Sequence, residues 1–137
     1  MPEGQAPSFG YTILYVEDVA ASLAFYEQAF GLTQRFFHDD NGKAYGELET
    51  GATRLAFASL TLAAEHLGRT PVMPDPEGAP LAFEIALVTD DVDALHARAL
   101  DAGAAPVSPP SIKPWGQTVA YVRDRSGYLV ELCTPVG

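Results

Sequence analysis

Few side chains in this 137-residue chain are suited to catalysis, and they form no motif along the sequence. A histidine titrates near neutral pH and can act as a base or bind a metal ion. His38, His66 and His96 are scattered through the chain, however, and we expect all three on the surface. Cys133, the one cysteine, ends the apolar run LVELC. We therefore expect a buried, unreactive thiol there.

Aromatic side chains offer a second kind of site, one that recognises a flat molecule. Trp115 is framed by proline and glycine in KPWGQ, which indicates a loop. An indole there can form a wall of a ligand site or an apolar plug at an edge of the domain, and the sequence leaves both open. Phe36, Phe37 and Tyr45 could supply an opposing wall or belong to the core.

Composition limits the class of partner. With 8 Lys+Arg against 18 Asp+Glu the net charge is -10, which disfavours binding to nucleic acid or to an anionic membrane. At 47% hydrophobic residues the chain can bury the core of one domain. It has no apolar run long enough to span a bilayer, no secretory leader pattern and a single cysteine, so we expect a cytoplasmic protein.

The first half of the chain predicts the order β-α-β-β-β. The run YTILYV is typical of a strand, and a helix follows between a capping Asp18 and a terminating Gly31. The pair Asn41-Gly42 between two extended runs indicates a hairpin, and ATRLAFASL is the last strand. The helix should bury the residues at helical spacing, which are Val19, Leu23, Tyr26 and Phe30.

The second half repeats this order. LAFEIALVT is a strand, Asp90 or Asp91 caps a helix that ends at Gly103, and two strands follow a proline-rich segment that permits at most an irregular edge strand. YTILYVEDV aligns with EIALVTDDV. We assign residues 9–60 to the first module, 61–80 to a linker with a helical turn, and 81–135 to the second module.

Each module has one sheet with one helix, so one face of each sheet is left uncovered. The predicted fold is therefore α+β, with two βαβββ modules that close around a concave cleft.

The chain resembles the vicinal oxygen chelate superfamily of glyoxalases, bleomycin resistance proteins and extradiol dioxygenases. The resemblance rests on VEDVAASLAFYEQAFGL, TDDVDALHARALDAGA and KPWGQTVAYVRDRSGYLVEL, and it extends from Phe9 to Pro135. It implies the two-module cleft and a homodimer. The cleft can form within one chain or between two chains.

Metal-dependent members of this superfamily bind the metal through a His on the first strand and a Glu on the last strand of each module. The resemblance places Tyr11 and Glu84 at the two His positions and Glu131 at the second Glu position. In TRLAFAS the larger apolar residues belong against the helix, so Arg54 should face the cleft, whereas a shift of one residue would bring Leu55 there.

The substituted positions disfavour a metal ion. A tyrosine phenol is neutral at pH 7, and an arginine offers no lone pair to a cation. Glu84 and Glu131 would be the only carboxylate ligands left for a divalent metal. We expect Arg54 to lie between these two carboxylates in place of the metal, with Tyr11 as a hydrogen-bond partner. The resulting cluster could bind a ligand or be purely structural.

Two functions follow from the resemblance. The first is a protein that binds a small organic molecule without a cofactor, in a cleft lined by Tyr11, Arg54, Glu84, Trp115 and Glu131. The acidic net charge favours a cationic or amphipathic ligand. The alternative is a metal-dependent glyoxalase-like lyase or isomerase, or a dioxygenase, with Glu131 as catalytic residue.

Overall fold

The computed structural model describes residues 4–136, which form eight strands and three helices within that range. No helix in this part of the chain is both long and apolar enough to cross a lipid bilayer. In chain order the elements are β1 (Tyr11–Val16), α1 (Val19–Phe30), β2 (Thr33–Asp40), β3 (Lys43–Glu49), β4 (Arg54–Ser59), α2 (Leu60–Leu67), β5 (Ile85–Val88), α3 (Val92–Asp101), β6 (Ala105–Ile112), β7 (Thr118–Arg123) and β8 (Leu129–Cys133).

The strands form two four-stranded sheets of the same topology. Their orders are β1-β4-β3-β2 and β5-β8-β7-β6. In each sheet the first strand of the module pairs in parallel with the last, and the other pairs are antiparallel. The predicted α+β fold of two βαβββ modules is confirmed.

Helix α1 has the predicted ends and the predicted buried face. The Asp18 carboxylate accepts a hydrogen bond of 3.0 Å from the backbone N–H of Ala21, as an N-cap does. Gly31 ends the helix with a φ of 73°, a left-handed conformation that glycine adopts without strain. The four predicted residues are all buried, together with Phe25 and Ala29.

Two segments differ from a simple repeat. The linker segment begins with a full helix, α2, rather than a single turn, capped by the Ser59 hydroxyl and ended by Gly68. The proline-rich segment forms β6 at the edge of its sheet, with two shifts in its pairing to β7. Proline has no N–H for a central ladder, which explains both the edge position and the irregularity.

The two modules pack through their helix-bearing sides into one core. The Tyr26 hydroxyl donates to Asp124 over 2.6 Å, and the Tyr128 hydroxyl donates to the Tyr15 carbonyl, also over 2.6 Å. Arg98 of α3 donates to two carbonyls at the end of α1. Strands β1 and β5 remain sheet edges that do not pair with each other, and Val88 on β5 is 64% exposed.

Candidate functional site

Strand alternation puts Arg54 on the helix-free face of the first sheet. Leu55 and Phe57 are buried in the core that contains α1, so Arg54 points to the opposite side. Arg54 pairs directly with Tyr11 across the parallel β1/β4 ladder. Arg54 therefore lies on the face opposite to Leu55.

The strand register nevertheless shows that Arg54 is not the first-module residue equivalent to Glu131. In the second sheet Glu131 lies opposite Ala86. Ala86 corresponds to Ile13 of β1, and Ile13 lies opposite Ala56. The position equivalent to Glu131 is thus Ala56 and not Arg54, which sits two residues earlier on the same face. Alternation selects a face of the strand, and only pairing with the neighbouring strand selects the position along it.

Two carboxyl groups meet on the helix-free face of the second sheet. A hydrogen bond joins the Glu84 and Glu131 carboxyl groups when one of them is protonated. That bond, with burial and the charge of Glu131, raises the pKa of Glu84 to about 7. The same bond lowers the pKa of Glu131. The Tyr121 hydroxyl donates to Glu131 Oε1 over 3.1 Å.

Arg54 does not bridge these carboxyl groups. Within residues 4–136 its ion pair is with Glu49, whose Oε1 lies 3.8 Å from Arg54 Nε. The expected cluster of Arg54 with Glu84 and Glu131 is therefore not formed. The hydroxyl partner of Glu131 is Tyr121, where Tyr11 was expected.

The first sheet carries its own polar network on the helix-free face. Arg35 contacts Glu47 at 3.2 Å and Glu49 at 3.5 Å. The Tyr45 hydroxyl donates to Glu47 over 2.7 Å, and burial, followed by this bond, raises the pKa of Tyr45. Glu47 lies opposite Ala56. The carboxylate at this level of the first module therefore comes from β3, whereas in the second module it comes from β8.

A cavity of about 550 Å³ lies between the two modules and brings Arg54 and Glu84 into one wall. This volume is in the range of small-molecule sites. Tyr11, Trp115 and Glu131 are not part of the wall. Its apolar lining comes from both modules and consists of Phe30, Leu32, Leu55, Ile85, Ala86, Leu87, Val88 and Leu95.

The aromatic candidates lie outside this cavity. Trp115 is 67% exposed, and its indole N–H donates to Gln117 Oε1 over 2.7 Å. Gln117 in turn donates to the Thr134 carbonyl, which ties the loop to the end of β8. Phe36 and Tyr45 contact each other, with ring centres 5.8 Å apart.

The cysteine and two of the histidines behave as expected. Cys133 is buried, which raises its pKa to about 11, so the thiol stays protonated at neutral pH. His38 and His66 are exposed. The prediction of a surface position for His96 is wrong, because this residue is half-buried and its Nε2 is buried without a hydrogen-bond partner.

The donor set does not fit a divalent metal. The four positions to which the resemblance assigns ligands hold Tyr11, Ala56, Glu84 and Glu131, with no imidazole among them. The pKa of Glu84 is raised to about 7, so near neutral pH a metal ion would compete with a proton for this carboxyl group. Within residues 4–136 no three His, Cys, Asp or Glu side chains are grouped as a metal site requires.

Tyr121, Glu47 and Ala56 were missed in the sequence. One signal could have found Tyr121, because the turn at Asp124–Gly127 joins β7 to β8 and sets the pairing. Counting back from that turn places Tyr121 opposite Glu131. No comparable local signal identifies Ala56, since β1 and β4 are far apart in the chain.

The shared proton predicts a distinct pH dependence of stability. Because the pKa of Glu84 is raised from 4.5 to about 7, its contribution is present below the ordinary pKa and is lost as pH rises through 7. Urea unfolding between about pH 5 and about pH 8 should show a fall in stability that is shallower in Glu84→Gln. Equal pH dependence in the two proteins would contradict the shared proton.

Comparisons with known proteins agree with this architecture. The model of the Glyoxalase/Bleomycin resistance protein/Dioxygenase superfamily matches residues 8–132. A search of curated proteins found no significant match.

Solved structures share the fold at low sequence identity. A glyoxalase-related enzyme from Fulvimarina pelagi is 22% identical, with a TM-score of 0.78 over 96% of this chain and 94% of that one. A glyoxalase/bleomycin resistance protein/dioxygenase family enzyme from Burkholderia phytofirmans PsJN is 20% identical, with a TM-score of 0.74 over 93% and 98%. TioX from Micromonospora sp. ML1 is 23% identical, with a TM-score of 0.69 over 93% and 98%.

Proposed function

Because the chain belongs to the Glyoxalase/Bleomycin resistance protein/Dioxygenase superfamily, we propose that it binds a small organic molecule between its two modules without a metal ion. The observation that carries this proposal is the position of Glu84. Glu84 lines the 550 Å³ cavity, and its carboxyl group interacts with that of Glu131, which raises the pKa of Glu84 to about 7. The Tyr121 hydroxyl donates to Glu131 beside it.

The lining defines the chemistry of the ligand. Its apolar body packs against the leucine, isoleucine and phenylalanine side chains of the cavity, which exclude water. Its polar group contacts Glu84, which near neutral pH can donate or accept a hydrogen bond. Arg54 Nε is buried without a hydrogen-bond partner and offers a donor in the same wall.

The proposal includes a homodimer in the cytoplasm. Tyr11 and Val88 are 58% and 64% exposed. They lie on β1 and β5, each of which is the edge strand of its sheet and is paired on one side only. A second copy would cover these strands and enclose the helix-free faces. The lone, buried Cys133 suits a reducing compartment.

Ligand binding is tested by filling the cavity. Protein purified without a metal-affinity tag is screened by thermal unfolding against metal-free bleomycin and a panel of aromatic amines. A compound that raises the Tm of the unmodified protein should not raise that of Ala86→Trp, because the larger side chain fills the cavity. It should still raise the Tm of the control Ala105→Trp, where the substituted residue is exposed on β6. An equal rise in both variants would place the ligand elsewhere.

Metal dependence is tested in the same preparation. We expect no stoichiometric divalent ion and no calorimetric binding of Zn²⁺ or Ni²⁺ that disappears in Glu131→Gln. A stoichiometric ion lost in that variant would contradict the proposal. It would favour instead a metal-dependent lyase, isomerase or dioxygenase with Glu84 and Glu131 as ligands.

A further inference from the structure

One wall of the cavity between the modules is formed by β5 along its whole length. The six consecutive residues from Glu84 to Thr89 all line this cavity. Consecutive side chains of a strand point to opposite faces of the sheet, so a cavity against one face would be lined by alternate residues only. The cavity therefore runs along the edge of β5, which has no neighbouring strand on that side in the described part of the chain. A ligand there meets backbone groups as well as side chains.

The backbone groups of Ala86 and Val88 face this open edge. The Thr89 N–H donates to the Cys133 carbonyl of β8 over 2.8 Å. Alternate residues of a strand direct their N–H and C=O groups to the same side, so Leu87 also bonds to β8, and Ala86 and Val88 point the other way. Both of these residues are exposed. Such edge groups are a template for pairing with another extended segment.

The opposite wall limits what can pair with β5. It belongs to the first module of the same chain and includes Thr12, Phe30 and Leu55. The edge of another sheet would need the room of a whole module, whereas this cavity has about 550 Å³. The four residues of β5 extend over roughly 13 Å, at ~3.3 Å per residue. The space therefore suits a single extended segment of about three residues.

Arg54 adds a positive charge to the cavity wall. Its Nε is buried without a hydrogen-bond partner, and its one ion pair within residues 4–136 is with Glu49, whose Oε1 lies 3.8 Å from that nitrogen. The Glu49 side chain is half exposed, so this contact is weak. The guanidinium can therefore bind a ligand carboxylate, which it matches in two parallel hydrogen bonds. Glu84 is compatible with such a ligand, because its pKa of about 7 lets it lie beside a carboxylate as a neutral donor.

We propose that the cavity between the modules binds a short extended peptide, which pairs as an additional strand with the edge of β5 at Ala86 and Val88. The C-terminal carboxylate of the peptide binds Arg54, and an apolar side chain of the peptide packs against Phe30 and Leu32. This inference rests on the proposed function, since it names the ligand class of the same cavity. The second copy in the proposed dimer then covers the peptide and β5 together.

Backbone amide NMR of ¹⁵N-labelled protein gives a direct test. In the free protein the Ala86 and Val88 amides should exchange with deuterium at least about tenfold faster than that of Leu87, which bonds to β8. N-acetyl-Leu-Ala-Leu or N-acetyl-Phe-Ala-Phe, each with a free carboxylate, should shift the Ala86 and Val88 signals saturably and slow their exchange. Slow exchange of these two amides in the free protein would show that a second copy already pairs with the edge. That result, or no saturable shift with either peptide, would overturn the proposal.

Analogues of the tighter-binding peptide separate the two kinds of contact. Its C-terminal amide should bind at least about tenfold more weakly, because the charge-assisted contact with Arg54 is lost. Two further analogues carry an N-methyl group on one or the other of two neighbouring peptide nitrogens. One of them should bind at least about tenfold more weakly and the other nearly as well as the parent, because only alternate residues face the paired strand. Equal affinity of acid and amide, or of both methylated analogues, contradicts strand pairing with a carboxylate at Arg54.

Matched variants locate the carboxylate. Arg54→Met should lower the affinity for the free acid to that for the amide and leave the affinity for the amide unchanged. The control Arg69→Met removes an exposed charge outside the lining and should change neither affinity. An equal loss for acid and amide in Arg54→Met would refute the contact. If Arg54→Met does not fold, the comparison of acid and amide on the unmodified protein decides.

Failure of this inference is distinguishable from failure of the proposed function. A screening compound whose effect on Tm disappears in Ala86→Trp would keep the cavity as a binding site. If the same protein binds neither peptide, only the peptide is refuted. If neither the compounds nor the peptides bind, both proposals are refuted.

Discussion

Replacing Arg123 with methionine should lower the free energy of unfolding by about 3–5 kcal/mol, because its four hydrogen bonds to backbone carbonyls are lost together. Bonds from a charged donor contribute ~1.5–3 kcal/mol each, and contributions within one network add incompletely. The methionine side chain fills similar space but bonds to no carbonyl. Rehydration of the linker carbonyls offsets only part of the loss. Urea unfolding followed by far-ultraviolet circular dichroism measures the change.

Arg125→Met is the control for this prediction. Arg125 lies two residues after Arg123, in the turn that follows β7, and its side chain is exposed. The loss of one positive charge there should change the free energy of unfolding by less than about 0.5 kcal/mol. An equally small effect of Arg123→Met would show that the linker is held without the arginine.

Phe57→Ala should destabilise the protein by about 3–5 kcal/mol, the usual cost of removing a buried phenylalanine. Phe57 is fully buried on β4, and its ring centre lies 5.0 Å from that of Tyr26. Tyr26 in turn bonds to Asp124 of the second module. Because the modules share one core, we expect both to unfold in a single transition at lower urea concentration.

Phe36→Ala provides the matched comparison. Phe36 is 40% exposed on β2, so its truncation should cost less than about 1.5 kcal/mol. Two separate transitions in Phe57→Ala, detected by circular dichroism and by Trp115 fluorescence, would contradict a shared core. Trp115 belongs to the second module and therefore reports on it separately.

The two modules use the same fold for different polar networks. In the second, Glu131 on β8 shares a proton with Glu84 and accepts from Tyr121. In the first, alanine occupies the equivalent position, and the carboxylate of Glu47 on β3 is neutralised by Arg35. The internal repeat is therefore one of backbone and core, while the helix-free faces have diverged.

The sequence by itself determined the elements and their repetition. Asp18 and Asp91 cap the two long helices, and Asn41 and Gly42 turn the first hairpin with φ values of 53° and 88°. These signals act over a few residues, through hydrogen bonds and backbone preferences that need no distant partner. The repeat of such signals was sufficient to indicate two βαβββ modules.

Only the tertiary structure decided which side chains meet. Alternation placed Arg54 on the correct face, but its partner is Glu49, and the partner of Glu131 is Tyr121. The hydrogen bond from the Tyr26 hydroxyl to the buried Asp124 likewise has no signature in the chain, since its two residues are 98 positions apart. Strand periodicity specifies a face, whereas contacts between strands and modules depend on register and packing, which distant segments set together.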